Sequence, residues 1–191
     1  MAIFIIEHLE PELYEWCLIE YESISKIIGK DNLWFTNIKN KKDKLKLSKF
    51  GKVFAGRVID MNLKKVCILD PFAEKTLSPK ETSHFDYFIF GGILVNHTMN
   101  RRTERELARF IKNGEKRNIG REQFSTDNAV FVVSRIINGI PLENMQFQNE
   151  IEIKIDKIQS TILPYKYPLI NGNPRISPKL INFIKKRDRI I

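Results

Sequence analysis

The chain has 191 residues, of which 42 % are hydrophobic and 29 % are charged, so it is long enough for one well-buried core and shows no sign of wholesale disorder. No apolar run approaches the roughly 20 residues that span a bilayer, and the first residues lack a signal-peptide pattern, so we expect a cytoplasmic protein with no membrane partner. The formal net charge of +9 suggests an anionic partner such as RNA or a ribosome, and an AT-biased genome, which favours Lys, Ile and Asn, is the competing explanation.

The first forty residues predict a strand, a helix and a second strand. Ile3–Ile6 is a short apolar run of the kind found in a buried strand. The helix that follows has Pro11 at its first position, acidic residues in its first turn and Gly29 after its last apolar residue. Leu33–Thr36 is the next apolar run, so this part of the chain predicts a βα unit closed by a strand.

The middle of the chain combines an irregular stretch with two buried strands. The lysine-rich run from Lys39 to Lys49 predicts a solvated face or loop, and short strand-like pieces follow around Val53–Ile59. Val66–Leu69 and Tyr87–Phe90 are continuous apolar runs, which are typical of strands buried on both faces of a parallel sheet. The second run stops at Gly91–Gly92, which predicts either a tight turn or a close approach of the backbone to a ligand.

The remainder of the chain predicts three helices and a strand. Arg101–Lys112 and Ser177–Arg187 have apolar residues at helical spacing, and Thr126–Asn138 does so with Ser125 as its N-cap. Ile151–Ile155 alternates apolar and charged residues, as a half-exposed strand does. The helical side chains that we expect to face the core are Leu107, Phe110, Ile111, Ala129, Val130, Val133, Ile136, Ile137, Leu180, Ile181 and Ile184.

Strands that alternate with helices predict an α/β fold with a mostly parallel sheet, and ligands of such sheets bind at the carboxyl ends of the strands. Three segments are predicted to follow strands and to converge there: Leu69–Pro71, Gly91–Gly92 and Arg117–Asp127. Each also has a purely structural explanation, as a strand terminator, a tight turn and a helix cap respectively.

Several kinds of site lose support from the sequence. His8, His84 and His97 lack metal-site spacing, and Cys17 and Cys67 form no CxxC pair, so we expect no bound metal and two buried thiols. The chain has no P-loop, nucleophile elbow or HExxH sequence, and the glycine pair is not a GxGxxG fingerprint. NTPase, hydrolase and dinucleotide-binding functions are therefore disfavoured.

Four sequence motifs, taken together, suggest a family. They are E-H-L-E-P-E-L-Y-E-W-C-L-I-E-Y (Glu7–Tyr21), I-L-D-P (Ile68–Pro71), F-D-Y-F-I-F-G-G-I-L-V-N-H (Phe85–His97) and Q-F-S-T-D-N-A (Gln123–Ala129). With these motifs the chain resembles the SPOUT-class methyltransferases, in the branch labelled SAM-dependent RNA methyltransferase that has a eukaryotic protein arginine methyltransferase relative. The resemblance extends from Ile3 to the final helix.

This resemblance implies a Rossmann-like α/β fold with a deep trefoil knot, in a single domain over residues 1–191 with a C-terminal extension from about residue 147. It also implies that S-adenosyl-L-methionine (SAM) binds at three loops that follow knot strands. Where relatives often carry G-D-H-P-P, this chain has V-N-H-T-M, which retains a histidine at the third position. The cofactor contacts that the resemblance implies are Leu69, Asp70, Pro71, Phe90, Gly91, Gly92, Ile93, Leu94, His97, Arg117, Asn118, Ile119, Gly120, Gln123, Thr126, Asp127 and Ala129.

The methyl acceptor stays open between two substrates and a third class of function. A protein arginine acceptor requires carboxylates to bind its guanidinium, and Glu7, Glu10 and Asp127 are the candidates. An RNA acceptor would instead use the arginines of the helix predicted over Arg101–Lys112. A ribosomal protein, rRNA or a ribosomal particle is the expected partner, and the resemblance slightly favours a protein arginine as the acceptor. The alternative of another class is a non-catalytic protein that binds RNA or the ribosome. The protein is expected to be either a monomer or a homodimer.

Overall fold

The structure, a computed structural model, describes residues 2–92 and 102–187. Its centre is a sheet of six parallel strands, in which the strand that begins the chain lies in the middle. The order across the sheet is β3-β2-β1-β5-β4-β6. The strands are β1 (Ile3–His8), β2 (Leu33–Thr36), β3 (Lys52–Val53), β4 (Val66–Leu69), β5 (Tyr87–Gly92) and β6 (Gly114–Arg117).

Helices cover the two faces of this sheet unequally. The larger core joins α1 and α4 to one face of the central strands, and Phe4, Ile6 and Phe88 lie at its centre. The smaller core lies on the other face, where Ile5 and Ile89 pack against Leu107 at the end of α3. The helices are α1 (Glu15–Ile28), α2 (Lys41–Leu47), α3 (Arg102–Glu106), α4 (Thr126–Ile137) and α5 (Pro178–Arg187), none of which is long and apolar enough to cross a membrane in the part of the chain that the structure describes.

The C-terminal part forms a second, antiparallel sheet with its own core. This sheet has the order β7-β8-β9, with β7 at Phe147–Lys154, β8 at Ser160–Ile170 and β9 at Asn173–Pro174. Leu180 and Ile184 of α5 pack on it, and side chains of α1 join the same cluster. Helix α1 therefore connects the C-terminal sheet to the main core.

The predicted α/β fold with a mostly parallel sheet is confirmed, and the trefoil knot stays a prediction. Strands β2 and β4 occupy the predicted residues, and both cysteines are buried as expected, so that burial raises the pKa of each thiol to about 12. Helix α1 begins at Glu15, four residues after the predicted start at Pro11. Phe110 was predicted to face the core, but it is 44 % exposed because the helix ends at Glu106 and a 3₁₀ turn re-aims the side chain.

Helix α2 is an element that the sequence did not predict. Its seven residues include four lysines, and Leu47 is the one among them that is buried. The helix begins because the Asn40 side chain accepts a hydrogen bond from the Lys42 N–H at 2.8 Å. The lysine-rich run is therefore partly a solvated helix face, which carries no apolar periodicity by which to recognise it.

Candidate active site

The three predicted ligand-binding segments leave neighbouring strands of the sheet. Strands β5, β4 and β6 are adjacent and parallel, so their carboxyl ends lie at one edge, with the end of β1 beside them. In the register of these strands Leu69 lies opposite Arg117, and Glu7 lies opposite Gly91. The predicted contacts Ile93, Leu94 and His97 lie outside the described residues.

Two of these segments are joined by the side chain of Asn118. Its Oδ1 accepts hydrogen bonds from the Thr76 hydroxyl at 3.0 Å and from the Gly120 N–H at 3.1 Å, while its amide nitrogen donates to the Ala73 carbonyl at 2.8 Å. Asn118 is buried, and Gly120 has the positive φ of +105° that a side chain would disfavour. The loops after β4 and β6 thus form one hydrogen-bonded unit.

Asp70 ends β4 and organises its own turn. Its Oδ1 accepts a hydrogen bond from the Phe72 N–H at 3.0 Å, and its backbone N–H donates to the Arg117 carbonyl at 2.9 Å. The side chain is 2 % exposed. This is the local capping that was the structural alternative for Asp70, and its predicted contact with a cofactor stays a prediction.

The Arg117 side chain holds a neighbouring segment against the same edge of the sheet. Its Nε and Nη2 donate to Oε2 of Glu81 at 3.0 and 2.8 Å, and Nη2 also donates to Glu115 at 2.7 Å. The hydrogen bond from Arg117 lowers the pKa of Glu81 and raises that of the guanidinium. The side chain of Arg117 is therefore committed to holding the 3₁₀ helix over Pro79–His84 against β6.

The glycine pair lies within β5 and not after it. Gly91 and Gly92 pair with Glu7 and His8 of β1, so the predicted end of the strand at Phe90 was two residues too early. A Cβ atom on Gly92 would lie 2.9 Å from the γ2 methyl of Ile6 and would clash with the hydroxyl of Tyr21. At Gly92, therefore, the group that comes close to the backbone is the Tyr21 side chain of the protein itself.

Tyr21 and His8 form a buried polar pair beside this glycine that the sequence did not single out. The Tyr21 hydroxyl lies 2.9 Å from Nδ1 of His8, and burial lowers the pKa of His8, although the Glu12 carbonyl and the Glu10 carboxylate act in the opposite direction. Nε2 of His8 and Oδ1 of Asn37 are buried and make no hydrogen bond of good geometry among the described residues. Since the Asn37 amide nitrogen donates to the His8 carbonyl at 2.7 Å, both residues belong to the edge where β1 and β2 end.

Glu7, the first predicted catalytic residue, is completely buried at the end of β1. Its Oε2 accepts hydrogen bonds from the Thr36 hydroxyl at 2.5 Å and from the Val58 N–H at 2.9 Å. Its Oε1 accepts a hydrogen bond from Nε of Arg57 at 3.0 Å, and Nη2 of Arg57 donates to the Glu106 carbonyl at 2.5 Å. The structure therefore gives this carboxylate a guanidinium partner from within the chain.

Asp127, the second predicted catalytic residue, is the centre of a different arrangement at the start of α4. It accepts hydrogen bonds from Ser23 at 2.9 Å, from Ser125 at 2.8 Å and from Nη1 of Arg175 at 2.9 Å. Arg175 also donates to Asn128 at 2.6 Å and to the Ser23 hydroxyl at 2.7 Å. We call Asp127, Ser23, Asn128 and Arg175 the interhelical clamp, because it joins α1 and α4 to the segment after β9.

Two further carboxylates lie near these groups. Glu20 is buried beside the clamp and accepts hydrogen bonds from the Trp16 indole and the Thr126 N–H; burial, and then the charge of Asp127, raise its pKa. Glu10, the third predicted catalytic residue, is half-buried shortly after β1. The remaining predicted contacts, Gln123 and Ala129, lie in the loop and helix that follow β6, so the prediction that they contact a cofactor stays open.

Comparison with known proteins places this geometry in a family. The family model described as "Protein arginine N-methyltransferase SFM1-like" matches residues 3–189. The protein arginine N-methyltransferase SFM1 of Saccharomyces cerevisiae is 32 % identical over 200 residues, which cover 96 % of this chain and 94 % of that protein. The match thus includes both sheets and the five helices of the described part of the chain.

Solved structures give the same result. The crystal structure of the yeast arginine methyltransferase SFM1 complexed with SAM has a TM-score of 0.90 and 30 % identity, and covers 98 % of this chain and 92 % of that chain. A Trm10 protein from Thermococcus kodakaraensis, with a TM-score of 0.58 and 16 % identity over 75 % of this chain and 96 % of its own, shares the fold. The predicted resemblance to SPOUT-class, SAM-dependent methyltransferases is confirmed. This chain belongs to the SFM1-like protein arginine N-methyltransferase family.

Proposed function

We propose that this protein is a cytoplasmic enzyme that transfers a methyl group from SAM to an arginine side chain of a ribosome-associated protein. The observation that carries the proposal is the agreement over almost the whole chain with a yeast arginine methyltransferase solved with SAM. A relative solved with S-adenosylhomocysteine, at a TM-score of 0.88, adds the product form of the cofactor to this comparison.

The residues at the strand ends fit such a cofactor. Leu69 is apolar and buried at the end of β4, Phe90 two residues before the end of β5, and Ile119 just after β6, and all three belong to the larger core. Nε2 of His8 is buried at this edge without a well-formed hydrogen bond to any residue that the structure describes, and a polar part of a ligand would satisfy it. When bound, SAM would supply the methyl group of its sulfonium, and the sulfur would leave as the neutral thioether of S-adenosylhomocysteine. The protein's part is to hold donor and acceptor in line and to assist loss of the acceptor's proton.

An arginine acceptor fits the carboxylates at the end of β1. A guanidinium remains protonated at neutral pH, so its binding site needs acceptor oxygens and a compensating negative charge. Glu7 supplies both at the end of the central strand, and the arginine that now occupies its Oε1, Arg57, is 33 % exposed. The arginine bonded to Asp127, Arg175, is only 15 % exposed. We therefore favour Glu7 over Asp127 as the group that meets the acceptor, and Glu10 stays a candidate beside it.

An RNA acceptor is the second candidate, and the surface of α2 is the observation that favours it. Lys41, Lys42, Lys44 and Lys46 are all exposed on this helix, in a protein of net charge +9. Such a surface attracts phosphate groups and would repel a free basic ribosomal protein. It agrees with an assembling ribosomal particle, which presents both RNA and protein.

The deciding experiment identifies the labelled molecule. The protein is incubated with radiolabelled SAM and a ribosomal extract from the same cells, and aliquots are then treated with protease or with RNase. We expect the label to be lost with protease, to survive RNase and to appear in methylarginine after acid hydrolysis. Label that is lost with RNase establishes the RNA alternative, and absence of both label and calorimetric binding of S-adenosylhomocysteine contradicts an enzymatic function.

A further inference from the structure

The contacts around the Arg57 side chain are those that an arginine substrate requires. Nε donates to the Glu7 carboxylate, Nη2 donates to the Glu106 carbonyl, and the guanidinium carbon lies 5.8 Å from the centre of the Phe110 ring. A carboxylate, a carbonyl and an aromatic face are the partners that recognise a planar, charged guanidinium in proteins. We call these three groups, from Glu7, Glu106 and Phe110, the guanidinium cradle.

The carboxylate of this cradle is fixed, while its arginine is not enclosed. Thr36 and Val58 occupy Oε2 of Glu7, so that Oε1 is held in one orientation toward the guanidinium. The Glu7 side chain is completely buried, whereas the Arg57 side chain remains 33 % exposed. Exchange of the arginine for another guanidinium therefore requires movement on the solvent side and leaves the carboxylate in place.

The position of the cradle connects it to the cofactor edge. Glu7 lies opposite Gly91, just before the chain leaves β5 toward the segment in which SAM contacts were predicted. Glu106 and Phe110 lie in and after α3, on the other side of the same segment along the chain. A guanidinium held by Glu7 is thus located at the strand end where a methyl donor would lie.

We propose that Glu7 is the binding group for the guanidinium of the acceptor arginine and that Arg57 occupies this position in the absence of substrate. The inference rests on the proposed arginine methyltransferase function. It adds that Arg57 of the protein competes with the substrate arginine for Glu7. The substrate arginine displaces Arg57 and takes over its hydrogen bonds. Arg57 raises the apparent KM, because part of the binding free energy of the substrate is spent on this displacement.

The alternative is an ion pair that only holds the loop before Val58 against β1. The two roles differ in what happens when Arg57 is removed. A vacated cradle accepts a free guanidinium, whereas a purely structural contact, once deleted, leaves a loosened loop that no small cation repairs. A small guanidinium compound therefore distinguishes the two without requiring catalytic turnover.

The first test measures thermal unfolding of Arg57→Ala with millimolar methylguanidinium, and with methylammonium as a cation of equal charge that lacks the planar fork. We expect methylguanidinium to raise the Tm of Arg57→Ala by about 2–4 °C relative to methylammonium. Wild type and the double variant Arg57→Ala with Glu7→Gln should show no such gain. If Arg57→Ala does not fold alone, its refolding yield with the two cations is compared in the same way.

The second test is kinetic and uses the protein substrate identified by radiolabelling. Arg57→Ala should lower the KM for that substrate by about tenfold, which corresponds to about 1.4 kcal/mol of displacement free energy. Equal Tm values of Arg57→Ala in the two cations, or an unchanged KM, would overturn the proposal. Failure of the proposed function would look different: the wild type would neither bind S-adenosylhomocysteine nor label any protein. The binding of methylguanidinium to Arg57→Ala does not depend on that result.

Discussion

Two buried carboxylates in this protein each hold an arginine of the same chain, on opposite faces of the parallel sheet. Asp127 and Arg175 belong to the interhelical clamp on the face covered by α1 and α4. Glu7 follows Ile5 in the alternation of β1 and so points to the face of the smaller core, where it meets Arg57. Both carboxylates were candidates for the same catalytic role in the sequence.

The two pairs differ in how completely the arginine is used. The Arg175 side chain is 15 % exposed and donates to Asp127, Asn128 and Ser23, while the Arg57 side chain is 33 % exposed. A largely buried guanidinium with several hydrogen-bond partners is a structural strut, whereas a more exposed one beside a fixed carboxylate is exchangeable. Burial of the arginine, and not of the carboxylate, therefore separates the two sites.

The largest effect is expected from breaking the clamp with Asp127→Ala. This change leaves the Arg175 guanidinium, whose side chain is only 15 % exposed, without its counter-charge, so it should lower the free energy of unfolding by about 3–5 kcal/mol, as measured by urea denaturation. Arg57→Ala should cost less, because water enters the space that the side chain vacates beside Glu7. Equal losses for the two variants would contradict the distinction between strut and exchangeable partner.

A smaller effect is expected at Gly92, where a side chain would point into the larger core. Gly92→Ala places a Cβ atom against the Tyr21 hydroxyl and Ile6, which should cost about 1–3 kcal/mol of unfolding free energy. In a Tyr21→Phe background the cost should fall, because the clashing oxygen is gone, and the double-mutant cycle measures that coupling. Gly56→Ala is the matched control, since a Cβ there meets nothing within 4 Å. If Gly92→Ala lowers the free energy of unfolding equally with and without the Tyr21 hydroxyl, the contact with Tyr21 is not what requires a glycine at this position.

The sequence predicted the fold best where burial dictates residue type. Strands β2 and β4 lie where short apolar runs stand in the sequence, and α4 ends where Gly139 follows a set of apolar residues at helical spacing. Helix α2 escaped because it packs mainly through Leu47 and presents lysines elsewhere. Hydrophobic periodicity detects only helices that bury a face.

The sequence predicted the candidate site only in outline. It located the strand ends and selected Glu7, because these follow from the order of strands in a parallel sheet. It did not indicate Arg57 or Arg175, which are 50 and 48 residues away from their carboxylate partners, and such pairings depend on tertiary structure. For the glycine pair it left open a tight turn or a close approach to a ligand, and the group that approaches Gly92, the Tyr21 side chain, was visible only in three dimensions.

The clamp should also respond to pH through Glu20, which lies beside it. Burial and the charge of Asp127 raise the pKa of Glu20 from 4.5 to about 8 in the folded protein. The protonated Glu20 side chain therefore contributes fully to stability below the pKa that it has in the unfolded chain. This contribution is lost as the pH rises through its pKa in the folded protein, by at most about 1.4 kcal/mol per pH unit. Relative to Glu20→Gln, the wild type should lose unfolding free energy between pH 5 and 8, as followed by urea denaturation at a series of pH values. Parallel curves for the two proteins would show that Glu20 does not titrate in this range.

The smallest effect is expected at an exposed ion pair that also joins distant elements. Lys179 of α5 donates to both oxygens of Glu22 on α1 at 2.7 and 2.8 Å, but its side chain is 61 % exposed. Lys179→Ala should therefore cost less than about 0.5 kcal/mol, and still less at high salt, in the same urea assay. The distances in this pair are as short as those of the clamp, so a loss comparable to that of Asp127→Ala would mean that geometry alone determines the cost. A loss of unfolding free energy near zero for Lys179→Ala, together with a large loss for Asp127→Ala, would show that desolvation and not distance determines the cost of breaking an ion pair. The same difference in desolvation makes Arg57 replaceable and Arg175 not.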